Sequence, residues 1–170
     1  MRSESGTTTA EKGYKVTEVG VIPEEWKVVT VKDLLLSLEA GVSVNSENRA
    51  ASSSEKGILK TSSTTSNRFL PTENKVILEN EISRARVSPV ADSLIISRMN
   101  TPDLVGAAGY VAENYPNLFL PDRLWLAKVR SRACARWFFS VLCSNKMKEQ
   151  IRNAATGTSP TCQNRCRMID

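Results

Sequence analysis

The stretch Lys60-Thr61-Ser62-Ser63-Thr64-Thr65-Ser66-Asn67-Arg68 sets consecutive hydroxyl side chains between a lysine and an amide-guanidinium pair. Short hydroxyls, Asn and Arg are the groups that reach phosphate oxygens and base edges, with Asn suited to adenine and Arg to guanine. The same residues also fit a polar loop that serves only solubility. Arg98 and Asn100 follow the apolar run Leu94-Ile95-Ile96, and Arg123 precedes Leu124–Val129, so all three lie at strand ends. Catalysis has few groups to draw on. The 170 residues include no histidine, which excludes Ser-His and Cys-His nucleophile pairs, a histidine base and any His-containing metal site.

The remaining chemistries fail on spacing. Cys162 and Cys166 have the separation of half a zinc knuckle, but Cys134 and Cys143 lie nine apart on a predicted helix and point to opposite faces. No metal site is expected. A Mg²⁺ nuclease without histidine needs a Pro-Asp followed by Glu-x-Lys. Pro102-Asp103 and Pro121-Asp122 occur, but Glu73-Asn74-Lys75 precedes both. The chain has no Gly-rich cofactor loop, no Asn/Asp-Pro-Pro-aromatic tetrapeptide and no P-loop, so no cofactor is expected.

The net charge of +5 is unevenly spread. Residues 1–119 carry 13 basic and 15 acidic side chains, or −2, and residues 120–170 carry 10 and 3, or +7. Arg123, Lys128, Arg130, Arg132, Arg136, Lys146, Lys148 and Arg152 form a stretch that could face a polyanion, or a solvated helix face. The length predicts one domain, and the 41% hydrophobic and 24% charged content is ordinary globular usage. No apolar run approaches the roughly 18 residues of a membrane span. Residues 1–13 lack an apolar signal core and read as a flexible lead-in. The expected location is a reducing cytoplasm, with free thiols.

The elements that must position these residues follow from local pattern. Trp26–Val31 reads as a strand, and Asp33 as the cap of a short helix through Leu34, Leu35, Leu36 and Leu38 that Gly41 ends. Residues 42–56 read as a loop. Gly57–Lys60, Asp92–Asn100, Gly106–Val111 and Leu124–Val129 read as strands. Ser131–Asn153 reads as one helix, from the recurrence of Trp137, Phe138, Val141, Leu142, Met147 and Ile151. Strands without regular helix alternation predict an α+β class, a single globular domain with a twisted mixed β-sheet and a few packed helices.

Four stretches combine into a family pattern: YKVTEVGVIPEEWKVVTVKDLL from Tyr14, GILKTSSTTSNRFLPTENK from Gly57, LIISRMNTPDLVGAAGYV with NYPNLFLPDRLWLAKV, and ATGTS from Ala155. In this order they resemble the specificity subunit of type I restriction-modification enzymes, over residues 14–159, as a single target recognition domain. The resemblance implies a non-catalytic reader of one half of a split double-stranded DNA target. It also implies methyltransferase and restriction subunits as partners that perform the chemistry, and no membrane. Carried onto this chain, the DNA contacts are Lys60, Thr61, Ser62, Thr64, Thr65, Ser66, Asn67, Arg68, Arg98, Asn100 and Arg123. Trp26, Leu94, Ile96, Leu124, Trp125 and Phe138 are read as core. Residues 160–170 depart from the family, which continues into a long spacer helix, and read as an out-of-frame or truncated end. The alternatives are a remnant that acts only as a protein-interaction module, and a Mg²⁺-dependent nuclease.

Overall fold

Residues 11–17, 19–99, 106–155 and 167–169 are described by a computed structural model. The described residues up to Leu34, with Arg167–Ile169, form one compact unit, and those from Leu35 onward form another. This boundary falls inside the 14–159 stretch that the sequence presents as continuous.

In the first unit Tyr14–Thr17 (β1) and Gly20–Pro23 (β2) make an antiparallel hairpin that pairs Val16 with Val21. Gly20 takes φ +121°, which suits glycine, and the Thr17 hydroxyl donates to the Gly20 carbonyl at 2.7 Å to close the turn. Trp26, expected in the core, is 43% exposed. Val28–Thr30 (β3) pairs antiparallel with Arg167–Ile169, which is β11 by its place in the chain.

The helix predicted after Asp33 stops at one turn, Val31–Leu34 (α1). Asp33 lies inside that turn, and its carboxylate accepts the Thr30 backbone N–H at 2.8 Å and the Thr30 hydroxyl at 2.7 Å, the reach-back half of a capping box. The leucines continue as strand β4, Leu35–Ala40. From Leu36 the polar and apolar residues alternate strictly, and that two-residue period matches a pairing partner on the neighbouring strand.

The second unit continues with Gly57–Leu59 (β5), Asn74–Val76 (β6), Ser93–Ser97 (β7), Ala108–Val111 (β8), Leu118–Phe119 (β9) and Leu124–Val129 (β10). Two 3₁₀ segments, Thr61–Asn67 and Glu79–Arg84, interrupt this series. A four-stranded antiparallel sheet has the order β4-β10-β7-β8. A three-stranded sheet, β6-β5-β9, is mixed, because β5 and β9 run parallel. With helices Arg132–Cys143 (α2) and Asn145–Ala155 (α3), the class is α+β, as the sequence predicts.

Strands β10, β7 and β8 of the four-stranded sheet are packed on both faces. On one, Leu124, Leu126, Ile95 and Val111 pack with Leu59 and Leu120, ringed by Phe69, Val87, Val90, Tyr115 and Leu118. On the other, Leu94, Ala108 and Ala127 lie beneath α2, which buries Ala135, Phe138 and Leu142. Gly41 is obligatory where β4 leaves the sheet, since a Cβ there would fall 1.9 Å from the Leu120 carbonyl oxygen.

The single helix predicted over Ser131–Asn153 is broken at Ser144. Its backbone is extended, its hydroxyl donates to the Val141 carbonyl at 2.7 Å, and the same oxygen accepts the Met147 N–H at 3.3 Å. One serine thus ends α2 and caps α3.

Residues 42–56 have no regular structure, as expected, but are strapped down. The Arg49 guanidinium makes a two-pronged contact with Glu55, at 2.9 and 2.6 Å, and a third bond to Glu47 at 2.9 Å. Arg49, then the Ser52 N–H and hydroxyl, hold the Glu55 carboxyl down at about 2, against an ordinary 4.5. A depressed carboxyl contributes stability above its unfolded value and loses it as pH falls through the folded one. The expected outcome is therefore a flat melting temperature above pH 5 that declines between about pH 4.5 and 2. Arg49→Ala should remove this part of the decline, measured by circular dichroism across that range.

Candidate nucleic-acid interface

Arg98 leaves the end of β7 and Arg123 leads into β10, and the Arg98 backbone N–H donates to the Arg123 carbonyl at 2.9 Å. They are cross-strand neighbours at one end of the sheet. Arg98 follows Ile96 by two residues, which turns it toward the face of Trp125, while Arg123 sits in the turn that the Leu124 N–H closes on the Pro121 carbonyl at 3.1 Å. The Arg98 guanidinium lies 4.9 Å from the centre of the Trp125 ring, and its Nη1 donates to the Asp122 backbone carbonyl at 3.1 Å. The Arg123 Nη1 sits 3.6 Å from the Met99 sulfur. The Asp122 carboxylate instead accepts the Ser43 hydroxyl at 2.5 Å. Among the described residues neither arginine has an acidic partner. Asn100 lies outside the described residues.

The hydroxyl-rich stretch is not an open loop. Thr61–Asn67 winds into a 3₁₀ helix because its hydroxyls bond carbonyls three residues back: Thr64 donates to Thr61 at 3.4 Å, and Thr65 donates to Ser62. Ser63 and Thr64 are fully buried. Thr64, read as a DNA contact, therefore points inward, and this conformation keeps it from a ligand. Ser62 donates to Glu73 at 2.8 Å, and the Lys60 ammonium lies 3.6 Å from the same carboxylate, which holds the Glu73 carboxyl below its ordinary range. Thr61, Ser62, Thr65 and Asn67 are half-buried, Arg68 is exposed, and the Ser66 side chain lies outside the described set. Asn67 ends the segment at φ +56°, a left-handed conformation that Asn tolerates better than most residues.

The segment packs on the face of the sheet opposite Trp125. There the Phe69 backbone crosses over Gly109, where a Cβ would fall 2.8 Å from the Phe69 nitrogen. The structure thus brings Arg98 and Arg123 together and leaves Lys60–Arg68 on the other face. Among the described residues no hydrogen bond or ion pair joins the two groups.

The basic stretch also divides. The Lys128 ammonium pairs with Glu39 across the strands at 2.8 Å and keeps that carboxyl low. Arg132, 3.6 Å from Asp92, and Arg136, 5.7 Å over the Tyr110 ring, lie toward the far end of the sheet, about 17 Å along β10 at roughly 3.4 Å per residue. Lys146, Lys148 and Arg152 lie on α3, whose Ile151 side chain meets Gly106. The sequence reading took Trp125 as core; it is half-buried, and its ring supports Arg98. The two-residue spacing Arg123-Leu124-Trp125 was the available signal.

Burial pushes the Cys143 thiol up, away from a reactive thiolate. No cluster of His, Cys, Asp or Glu arranged to hold a metal occurs among the described residues, and no helix among them is long and apolar enough to cross a membrane. A cleft of about 400 Å³ is lined by Ala50–Glu55, Pro71, Thr72, Asn74 and Asn114–Leu118. Its amides are engaged within the fold: Asn74 with the Ala51 N–H and Pro71 carbonyl, and Asn117 with Lys56 and the Ser53 carbonyl.

No family model matches the chain, and no curated protein does. Among solved structures it is similar to the HsdS subunit from Thermoanaerobacter tengcongensis, with a TM-score of 0.44 and 9% identity. The likeness covers 85% of this chain and 40% of that one, so the chain spans well under half of its neighbour's length.

Gly109→Ala should force the Arg68-Phe69 backbone off the sheet and cost about 1–3 kcal/mol, as overpacked sites do. A lower urea midpoint with faster tryptic cleavage after Arg68 is the expected outcome; an unchanged midpoint would refute the close approach.

Proposed function

We propose that the chain is a non-catalytic, sequence-specific DNA-binding domain, with residues 14–159 acting as one target recognition domain of a type I restriction-modification specificity subunit. The observation that carries this reading is the pair Arg98 and Arg123, set side by side on one sheet end with no acidic partner among the described residues. Two guanidiniums at adjacent positions fit phosphate oxygens and the acceptor edge of guanine. The family-like stretches in the sequence point the same way, and Arg98 and Arg123 both lie within them.

On this reading Arg68 is a further contact from its own face of the sheet, with Thr61, Ser62, Thr65 and Asn67 beside it, and the cations of α2 and α3 add phosphate contacts. Methyltransferase and restriction subunits would supply the chemistry, in the cytoplasm. A second reading, a module that binds protein, is favoured by Leu36 and Leu38 of β4, which are 63% and 47% exposed. Capture of a methyltransferase subunit without DNA, together with no DNA binding, would favour it.

Binding to random duplexes should weaken steeply with salt, as phosphate neutralisation requires. Selection from a random library should recover a short motif. Arg98→Ala or Arg123→Ala should cost about 1–3 kcal/mol, with preference lost at one position if the contact is to a base and affinity lost uniformly if it is to a phosphate. A folded protein that ignores duplex DNA at low salt refutes the reading, and plasmid nicked in the presence of Mg²⁺ would restore the nuclease alternative.

A further inference from the structure

We infer that Trp125 is a positioning residue whose ring, with the Asp122 carbonyl, presets Arg98 as the base-reading arginine, while Arg123 serves as a phosphate contact. The inference rests on the DNA reading above and goes beyond it, because it assigns different roles to two neighbouring arginines and gives a specificity role to a residue that need not touch the nucleic acid.

Arg98 is held at two points: its guanidinium carbon over the Trp125 ring, 4.9 Å from the centroid, and its Nη1 on the Asp122 carbonyl at 3.1 Å. A stacked aromatic ring attracts the cation through its face and takes no N–H. A carboxylate partner would neutralise the charge and occupy the same fork that a base needs. The carbonyl takes one Nη1 donor, and among the described residues the edge formed by Nε and Nη2 has no partner. Two parallel donors on that edge match the O6 and N7 acceptors of guanine. A long flexible side chain loses rotamer freedom when it binds, and one already fixed loses less.

Trp125 is suited to this because it is itself held. It pairs with Ile96 on one side and Ala40 on the other, inside a strand that is hydrogen-bonded along both edges. Arg123 has no such support. Its contact is the Met99 sulfur at 3.6 Å, a weak acceptor that leaves the guanidinium free to follow a phosphate.

The test uses the full chain and a random-sequence duplex library. Selection with the wild type defines the preferred duplex, and affinities are then measured for that duplex, for a copy with the recognised G·C pair replaced, and for unrelated DNA. Trp125→Leu should lose discrimination at that pair by about tenfold, with unchanged affinity and salt slope on unrelated DNA, and Arg98→Lys should lose the same discrimination. Trp125→Phe, which keeps a ring beneath the guanidinium, should retain most of the preference. The Trp125→Leu, Arg98→Lys double variant should discriminate no worse than Arg98→Lys alone. Trp125→Met replaces the Leu variant if that one fails to fold by circular dichroism.

If the folded Leu or Met variant discriminates like the wild type while Arg98→Lys does not, the positioning role is overturned and the DNA reading stands. If Arg123→Lys, and not Arg98→Lys, abolishes the preference, the division of roles is wrong. If the folded wild type binds no duplex at low salt, both readings fall together.

Discussion

The register of β10 against β7 is the constraint on which the rest of the second unit depends. Leu124 faces Ser97, Trp125 faces Ile96, Leu126 faces Ile95 and Ala127 faces Leu94. A slip of one residue would exchange the two faces of the strand. Leu124 and Leu126 would leave the core shared with Leu59 and Leu120, and Arg98 would no longer meet the Trp125 ring. Each large apolar side chain fully buried stabilises by roughly 1.5–3 kcal/mol, whereas an exposed ion pair contributes roughly 0–1. Packing therefore sets the register, and the Lys128–Glu39 pair belongs to the other edge of β10, against β4. The arginine pair at the sheet end is a by-product of where the leucines must go.

Polar groups inside this fold are used economically. The hydroxyl-rich segment lies over the sheet face that carries Gly109, and its hydroxyls are absorbed by its own carbonyls and by Glu73. The buried Ser63 hydroxyl has no partner among the described residues. Leaving such a group unpaired costs about 1–3 kcal/mol, which the burial of Leu59, Ile95 and Val111 against the same segment can offset. A chain with six hydroxyls here gains a tight 3₁₀ turn that carries Arg68 to the surface at its exit.

Much of the fold could be read from local pattern. Leu124–Val129, Ser93–Ser97, Ala108–Val111 and Gly57–Leu59 are short apolar runs bounded by turn residues, and each became a strand. The Leu34–Leu38 run misled, because three consecutive leucines satisfy a helical and an extended period equally, and the choice is made by β10, some 85 residues away. The break at Ser144 was hidden because apolar spacing continues across it. The site was legible residue by residue but not as an arrangement. Arg98 and Arg123 stand out as cations at strand ends, yet their adjacency depends on a strand pairing that no local pattern announces. The basic stretch of residues 120–170 is not one patch, because among the described residues the fold distributes its cations over both sheet ends and two helices.

Arg98 and Arg123 are held differently from the cations that pair with carboxylates. Arg49, Arg84, Lys60 and Lys128 are each tied to carboxylates, and Arg132 lies near Asp92. In those places the charge is cancelled locally and the pair serves the fold. Arg98 and Arg123 rest on a ring, a carbonyl and a thioether, which fix position while leaving the charge intact. At 0.1 M salt a field is screened within about 10 Å, so only charges left uncompensated at the surface act on a polyanion before contact. Neutral support at Arg98 and Arg123, as at Arg136 over the Tyr110 ring, leaves those charges available to a polyanion. The same choice of support leaves their donors free to read what arrives.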